Sequence, residues 1–484
     1  MFSRAASIRH ALHSSTIRSA RPLRVHPTQR NSFDAAITQT RKMASTSKIH
    51  LTAQQKPENY VPGLTPESAK KASELLQENH DKYHIFFNQD GFHNHIAHHI
   101  LTIFALNATP TELQTGYDNN VYYQRPTGPV KRSIVEGMHD PESFKKYLGK
   151  EKYYHDFLTF FKDEIDKKGW EAVLNEYLFK GDDRADDMLV RLFSGFLHPI
   201  IHLGFGIEFQ QPAIIAEGLA QAAIHSNWMA PLFLESEKAA QAKGSESGPQ
   251  KTIVQLLDEI RADEKLSSAA HWSDGNKIRD GILKRAPQEM IQFASQYRLT
   301  SPDQLPEKTA EMINAAAYFT GTSQRPPKQI KFDFYYMHCV TNSIFFSTFL
   351  STPSLSPHTR TRLLEWKVRN DMAMYASRHS PALLHGEITK YGGSRGSWDE
   401  VVARTNRVED DGHTSKFVRA LRHGEVVCRE WEERGSEGFL LRGEDWRVLA
   451  NMVLDSVVEE PRWVRSCGFE EAWEGVGERE GARL

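Results

Sequence analysis

From Lys48 onward the apolar side chains recur at i, i+3 and i+4, the spacing that gathers one face of a helix. This pattern predicts helices over residues 66–76, 94–106, 144–167, 185–201, 212–223, 252–262, 277–297, 309–320, 332–350 and 359–377. Sustained two-residue alternation is nearly absent, so the predicted fold is all-α, one large helical domain over residues 44–484. The stretch 235–250, rich in Ser, Ala, Lys, Glu and Gly, has linker composition and marks a boundary at which the domain would divide into two lobes. Beyond Tyr391 the sequence turns charge-rich, and residues 470–484 read as a frayed acidic tail.

Composition narrows the classes of function. Against 62 Asp and Glu stand 60 Lys and Arg, a net charge of −2, which gives no global attraction to nucleic acid or an anionic membrane. A hydrophobic share of 39% with 25% charged residues excludes disorder of the whole chain. No uninterrupted apolar run approaches the roughly 18 residues of a membrane span. Residues 1–43 are set apart as a presequence or disordered extension. Six arginines precede the first acid, Asp34, among many Ser and Thr, a composition seen in mitochondrial import signals. Met43 opens an alternative start, and the expected location is the cytoplasm, with mitochondrial import as the alternative.

Three scattered cysteines match no CxxC spacing, so a bound metal must use nitrogen and oxygen ligands. The 22 histidines supply them in three segments. In Gly91–Ile100, helical geometry turns His99 inward, with His95 second and His98 toward solvent. His198 and His202 stand four residues apart, able to hold one cation from one helix, and Pro199 is tolerated if a helix begins beside it. Glu217 and His225 follow amid Ala and Ile. His338 lies in the aromatic run Phe334-Tyr335-Tyr336, where a buried histidine is more often a hydrogen-bonded core residue than a ligand. Lys367 shares its helical face with Leu363, Leu364 and Met374; burial would favour its neutral amine, which adds carbon dioxide to give an anionic carbamate. The competing reading pairs its ammonium with Asp371, one turn on.

Taken together, His95-Ile96-Ala97-His98-His99, Tyr117-Asp118-Asn119, Tyr123-Gln124-Arg125-Pro126, His198-Pro199-Ile200-Ile201-His202-Leu203-Gly204, Ala216-Glu217-Gly218, Met337-His338 and Trp366-Lys367 resemble the questin oxidase-like family of fungal secondary metabolism, over roughly Lys48 to Pro381. The resemblance implies O₂-dependent oxidative cleavage of an aromatic polyketide ring, such as an anthraquinone, by a Baeyer–Villiger-type or dioxygenase step, with NADPH used by some members. It also implies non-haem Fe(II) held by His99, His198, His202, His338 and a carboxylated Lys367, with His95 and His98 competing for the place of His99. His338 and Lys367 would then be catalytic.

Imidazole with an oxygen donor suits Fe(II), whereas magnesium or calcium would need an oxygen-rich shell. Phe205 and Tyr336 are candidates for a flat slot around fused rings, although ordinary core packing is the better account of most such aromatics, and Arg125 is a candidate for orienting a substrate oxygen, which an inter-helix hydrogen bond explains equally. Two other hypotheses compete. An NADPH-dependent monooxygenase with a Rossmann site is disfavoured because Gly392-Gly393-Ser394-Arg395-Gly396 follows no strand. A non-catalytic helical scaffold would keep the histidines for packing alone.

Overall fold

In the computed structural model, residues 44–242 and 250–479 are described, and they belong to one compact unit. The expected presequence, residues 1–43, lies outside the described residues, as does the core of the expected lobe boundary, 243–249. Helices dominate. Those that carry the site, numbered in chain order, are α1 (Pro66–Lys82), α2 (Ile96–Ala105), α3 (Pro110–Val121), α4 (Tyr154–Lys168), α5 (His198–Glu208), α6 (Pro212–Ile224), α7 (Leu305–Thr322), α8 (Phe334–Ser343), α9 (Pro357–Ser377), α10 (His413–Glu433) and α11 (Asp445–Ser456). Their starts follow local rules: Thr65, Thr109 and Ser356 accept backbone N–H bonds at the caps of α1, α3 and α9, each followed by a first-turn proline.

The pair α5 and α6 forms the most apolar part of the core, with nearly every side chain buried. Glycines let the two backbones meet: a Cβ at Gly206 would lie 2.7 Å from the Ile215 nitrogen, and one at Gly218 would lie 2.8 Å from the Leu203 nitrogen. Among the described residues, the strands amount to β1 (Phe332–Asp333) and β2 (Trp463–Val464), paired in parallel. Asp333 fastens this joint: Oδ1 accepts from the N–H groups of Tyr335 and Tyr336 at the start of α8, and Oδ2 accepts from those of Ser466 and Cys467. The Gly392 run lies in a loop, so no Rossmann unit forms around it.

Several expected helices are shorter than the apolar pattern suggests. Residues 185–201 are broken by Gly195, Phe196 and Leu197, which take φ values of 56°, 54° and 69° in succession. The 144–167 segment is interrupted at Gly149 (φ 70°), whose N–H donates to the Ala223 carbonyl. The segment 277–297 divides at Ala286-Pro287, and 332–350 begins only after the Asp333 cap. The acidic end is not frayed over its described part, because Trp473 is buried and donates from Nε1 to the Cys467 carbonyl at 2.7 Å. Among the described residues no single helix is long and apolar enough to cross a membrane.

Candidate metal centre

His95, His198 and His413 bring one ligand nitrogen each to within 4.8 Å of one another, all three buried. Each arrives by a different local device. His95 is the N-cap of α2, with φ −98° and ψ 0°, so it stands outside the helical rotation that the sequence pattern assumes. His198 opens α5 directly after the left-handed run Gly195–Leu197, and its Nδ1 donates to the Gly195 carbonyl at 2.6 Å. Gly195 must be small as well as left-handed, since a Cβ there would sit 2.4 Å from His225 Nε2. His413 is the first residue of α10, and its Nδ1 donates to Asp411 Oδ1. The other carboxylate oxygen, Asp411 Oδ2, lies 3.1 Å from His95 Nδ1, at ion-pair distance but off the line of an ideal hydrogen bond.

These contacts assign the protons. With Nδ1 of His95, His198 and His413 each turned to an acceptor, the three Nε2 atoms carry lone pairs. His95 Nε2 and His198 Nε2 nevertheless approach to 2.8 Å, and two lone pairs do not attract. Two cis ligands about 2.1 Å from one cation come about 3 Å apart, so the spacing is one that a shared cation would give. His413 Nε2 is buried with no partner, as is Nε2 of His338, whose Nδ1 is bonded to the Phe334 carbonyl at 2.7 Å. The His338 ring stands 4.7 Å from His198 and 5.1 Å from His413, at the border of the group. The residues therefore fit a resident metal: orphaned, desolvated nitrogen donors around one point, with a carboxylate behind two of them.

Electrostatics favour neutral imidazoles. Burial lowers His95 to about 3 and pushes His198 and His338 well below the usual histidine range; it lowers His413 too, against the pull of Asp411. Burial opposes ionisation of Asp411, but His413 and His95 hold its carboxyl well below the ordinary value. Lys416, one turn after His413, is fully buried; loss of water brings its amine down to about 8, with Asp411 and Asp410 resisting. Its charge bears on His95, His198, His338 and His413 alike.

Of the residues singled out from sequence, the structure brings His198 and His95, the second choice to His99, into this group and His338 to its edge. The others lie elsewhere. His99 packs its Cβ on Gly412 and its ring on Gly116, lining a separate cavity of about 210 Å³ with Thr115, Asn119 and Asn406. His202 uses both nitrogens in a buried chain, Nε2 to Glu217 Oε2 at 2.7 Å and Nδ1 to His98 Nε2 at 3.0 Å. His80 donates to the other Glu217 oxygen at 2.6 Å, and although burial opposes it, these two bonds bring that carboxyl down to about 2. Lys367 is fully buried in an ion pair with Asp371, the alternative weighed above, and the pair acts on Cys339 instead of the histidines. Arg125 joins three segments through the Phe86 carbonyl, His84 and Glu151. Tyr336 is buried, donating to the Tyr375 carbonyl at 3.1 Å, and Phe205 packs edge-on against Phe345. Among residues the sequence reading passed over are His413, Asp411 and Lys416; the signal was an Asp-Asp-Gly-His run opening a helix, with a lysine three residues on.

The model of the family described as questin oxidase-like matches residues 92–421, which includes every member of the group. The chain belongs to the questin oxidase-like family. It is 43% identical over 419 residues to the Baeyer-Villiger oxidase ptaJ of Pestalotiopsis fici, covering 84% of this chain and 93% of the relative. It is 39% identical over 422 residues to the Baeyer-Villiger monooxygenase dmxR6 of a Cryptosporiopsis species, covering 85% and 95%. With the questin oxidase of Aspergillus terreus it shares 40% over 415 residues, covering 84% and 92%. Questin oxidase-like relatives over most of the chain make this protein an oxidoreductase. The match reaches Asp411, His413 and Lys416, well past the point near Pro381 where the resemblance in the short motifs ends.

Proposed function

We propose that this oxidoreductase cleaves a ring of an aromatic polyketide, such as an anthraquinone, in an O₂-dependent Baeyer–Villiger-type or dioxygenase step at a non-haem iron. The observation that carries this reading is the convergence of His95, His198 and His413 with lone pairs turned to one point, and His338 beside them. These residues would hold the metal. Bound Fe(II) supplies O₂ activation, which nitrogen ligands with an oxygen donor suit.

Lys416 is the lysine this geometry favours for the oxygen donor that the family resemblance assigned to Lys367. At a value near 8, a fraction of its amine is neutral at physiological pH. A neutral amine forms an N–C bond to CO₂ and releases one proton, leaving a carbamate whose negative charge the bound cation would balance.

The remaining residues position and exclude. Asp411 keeps the Nδ1 protons of His95 and His413 in place, so both rings present Nε2. The Gly195 carbonyl does the same for His198, and the Phe334 carbonyl for His338. Phe334, 4.9 Å from both His338 and His413, shields that side from water.

The test is metal analysis and turnover of protein purified without an affinity tag. About one iron per chain, lost with activity on chelation and restored by Fe(II) alone, is the expected result. Oxygen uptake with an anthraquinone, measured with and without NADPH, decides whether a reductant is consumed. Fully active, metal-free protein would refute the iron site, and metal-free, inactive protein would favour the scaffold.

A further inference from the structure

Arg378, at the C-cap of α9, is only 2% exposed, yet among the described residues no carboxylate comes within ion-pair distance of it. Its Nη1 donates to Ser377 Oγ at 2.8 Å, while Nε is buried with no partner. A guanidinium stays charged in any protein environment, so this is a desolvated cation lacking a counter-charge. Stacking offsets part of the cost: its carbon lies 4.0 Å over the Tyr335 ring and 6.0 Å from Phe196. The end of α9 offers a fractional negative charge at most.

The backbone holds this arrangement under strain. His379 and Ser380 follow with φ values of 64° and 41°, and the Arg378 carbonyl packs where a Cβ of Gly468 would come to 2.0 Å. Strain kept at a buried, unpaired cation is a pattern of ligand sites. The place in the fold agrees. Tyr335 lies 4.5 Å from Phe196, two residues before His198, and Phe334 faces His338 and His413. Phe196, Phe334 and Tyr335 are half-buried, forming an aromatic surface that runs from the histidines to the guanidinium. A second arginine, the exposed Arg465, stands 4.7 Å over Phe334.

Resting on the aromatic-substrate reading above, we propose that Arg378 is the specificity-determining residue that pairs with an acidic oxygen, carboxylate or ionised phenol, of a planar substrate stacked along Tyr335 and Phe196. A planar fork suits a carboxylate through two bonds and a phenolate through one.

The experiment titrates the iron-loaded protein, followed by tryptophan fluorescence, with three probes: anthraquinone-2-carboxylate, its methyl ester and 2-hydroxyanthraquinone at a pH where the phenol is ionised. Arg378→Met should weaken the carboxylate or the phenolate, or both, by about tenfold or more, leave the ester within about twofold, and leave iron content unchanged. Whichever acid responds identifies the oxygen. Should Arg378→Met not fold, Arg378→Lys takes its place: it keeps the charge but not the fork, so the acids should lose at least about threefold relative to the ester. Equal change across all three probes, or none, overturns the inference while leaving the oxygenase reading intact. Failure of the unaltered protein to bind any probe overturns both.

Discussion

Asp411 joins His95 to His413: one carboxylate oxygen takes the Nδ1 proton of His413 and the other faces Nδ1 of His95. A single side chain thus faces the Nδ1 atoms of two histidines that come from distant parts of the chain. Asp411→Asn keeps the shape but offers an amide N–H to one of the two rings. Metal affinity should fall by about 10- to 100-fold with the helical content unchanged, as followed by competition with a chelator and by circular dichroism.

Lys367 and Lys416, both buried, should behave oppositely. Lys367→Met leaves Asp371 charged and alone in the core, a loss of about 3–5 kcal/mol in denaturant unfolding, while the folded fraction keeps its metal. The double variant with Asp371→Leu should recover most of that. Lys416→Met should retain stability and lose activity, because removing a cation that burial already disfavours relieves the fold. Loss of metal in Lys367→Met with an unaltered Lys416→Met would reverse the assignment.

Acid should destabilise the protein through buried, neutral histidines, His423 away from the site and His225 beside it. His423 is buried with neither nitrogen bonded, and burial lowers it from 6.5 to about 3; burial likewise takes His225 to about 4. The unfolded chain takes up these protons below pH 6.5 and the folded chain does not. Stability is therefore complete above the unfolded value and falls as pH drops toward the folded ones, by about 1.4 kcal/mol per pH unit for each such residue. Melting curves between pH 7.5 and 4.5 should show this slope, and His423→Leu should flatten it by one residue's share.

The α5 and α6 crossing should resist even a methyl group. At Gly218 the added carbon meets the Leu203 backbone, which cannot turn aside as a side chain would. Gly218→Ala should cost about 1–3 kcal/mol in chemical denaturation.

Helical character was legible throughout the sequence because apolar spacing reports burial, and burial is what helices share here. Helix ends were less so: the left-handed Phe196 and Leu197 carry ordinary apolar side chains, and nothing in their identity announces positive φ. His198 and His338 could be picked out because each lies in an apolar run. His95 was ranked below His99 because a rotation of 100° per residue was extended to a cap position where it does not hold. His413 and Lys416 were hidden by their surroundings, a charge-rich stretch whose average polarity masks Phe417, Ala420 and Leu421 on the same helix. Spacing also could not separate the two lysines, since each shares a face with apolar residues; their difference is whether a partner waits one turn on.

His95 lies near the beginning of the folded chain and His413 near its end. No truncated polypeptide that stops before α10 can close the ring of nitrogens, whatever else it has folded. An iron ion bound as proposed above would have to wait until nearly the whole polypeptide had left the ribosome, so on that proposal cells starved of iron would accumulate a finished but empty protein, not a half-made one.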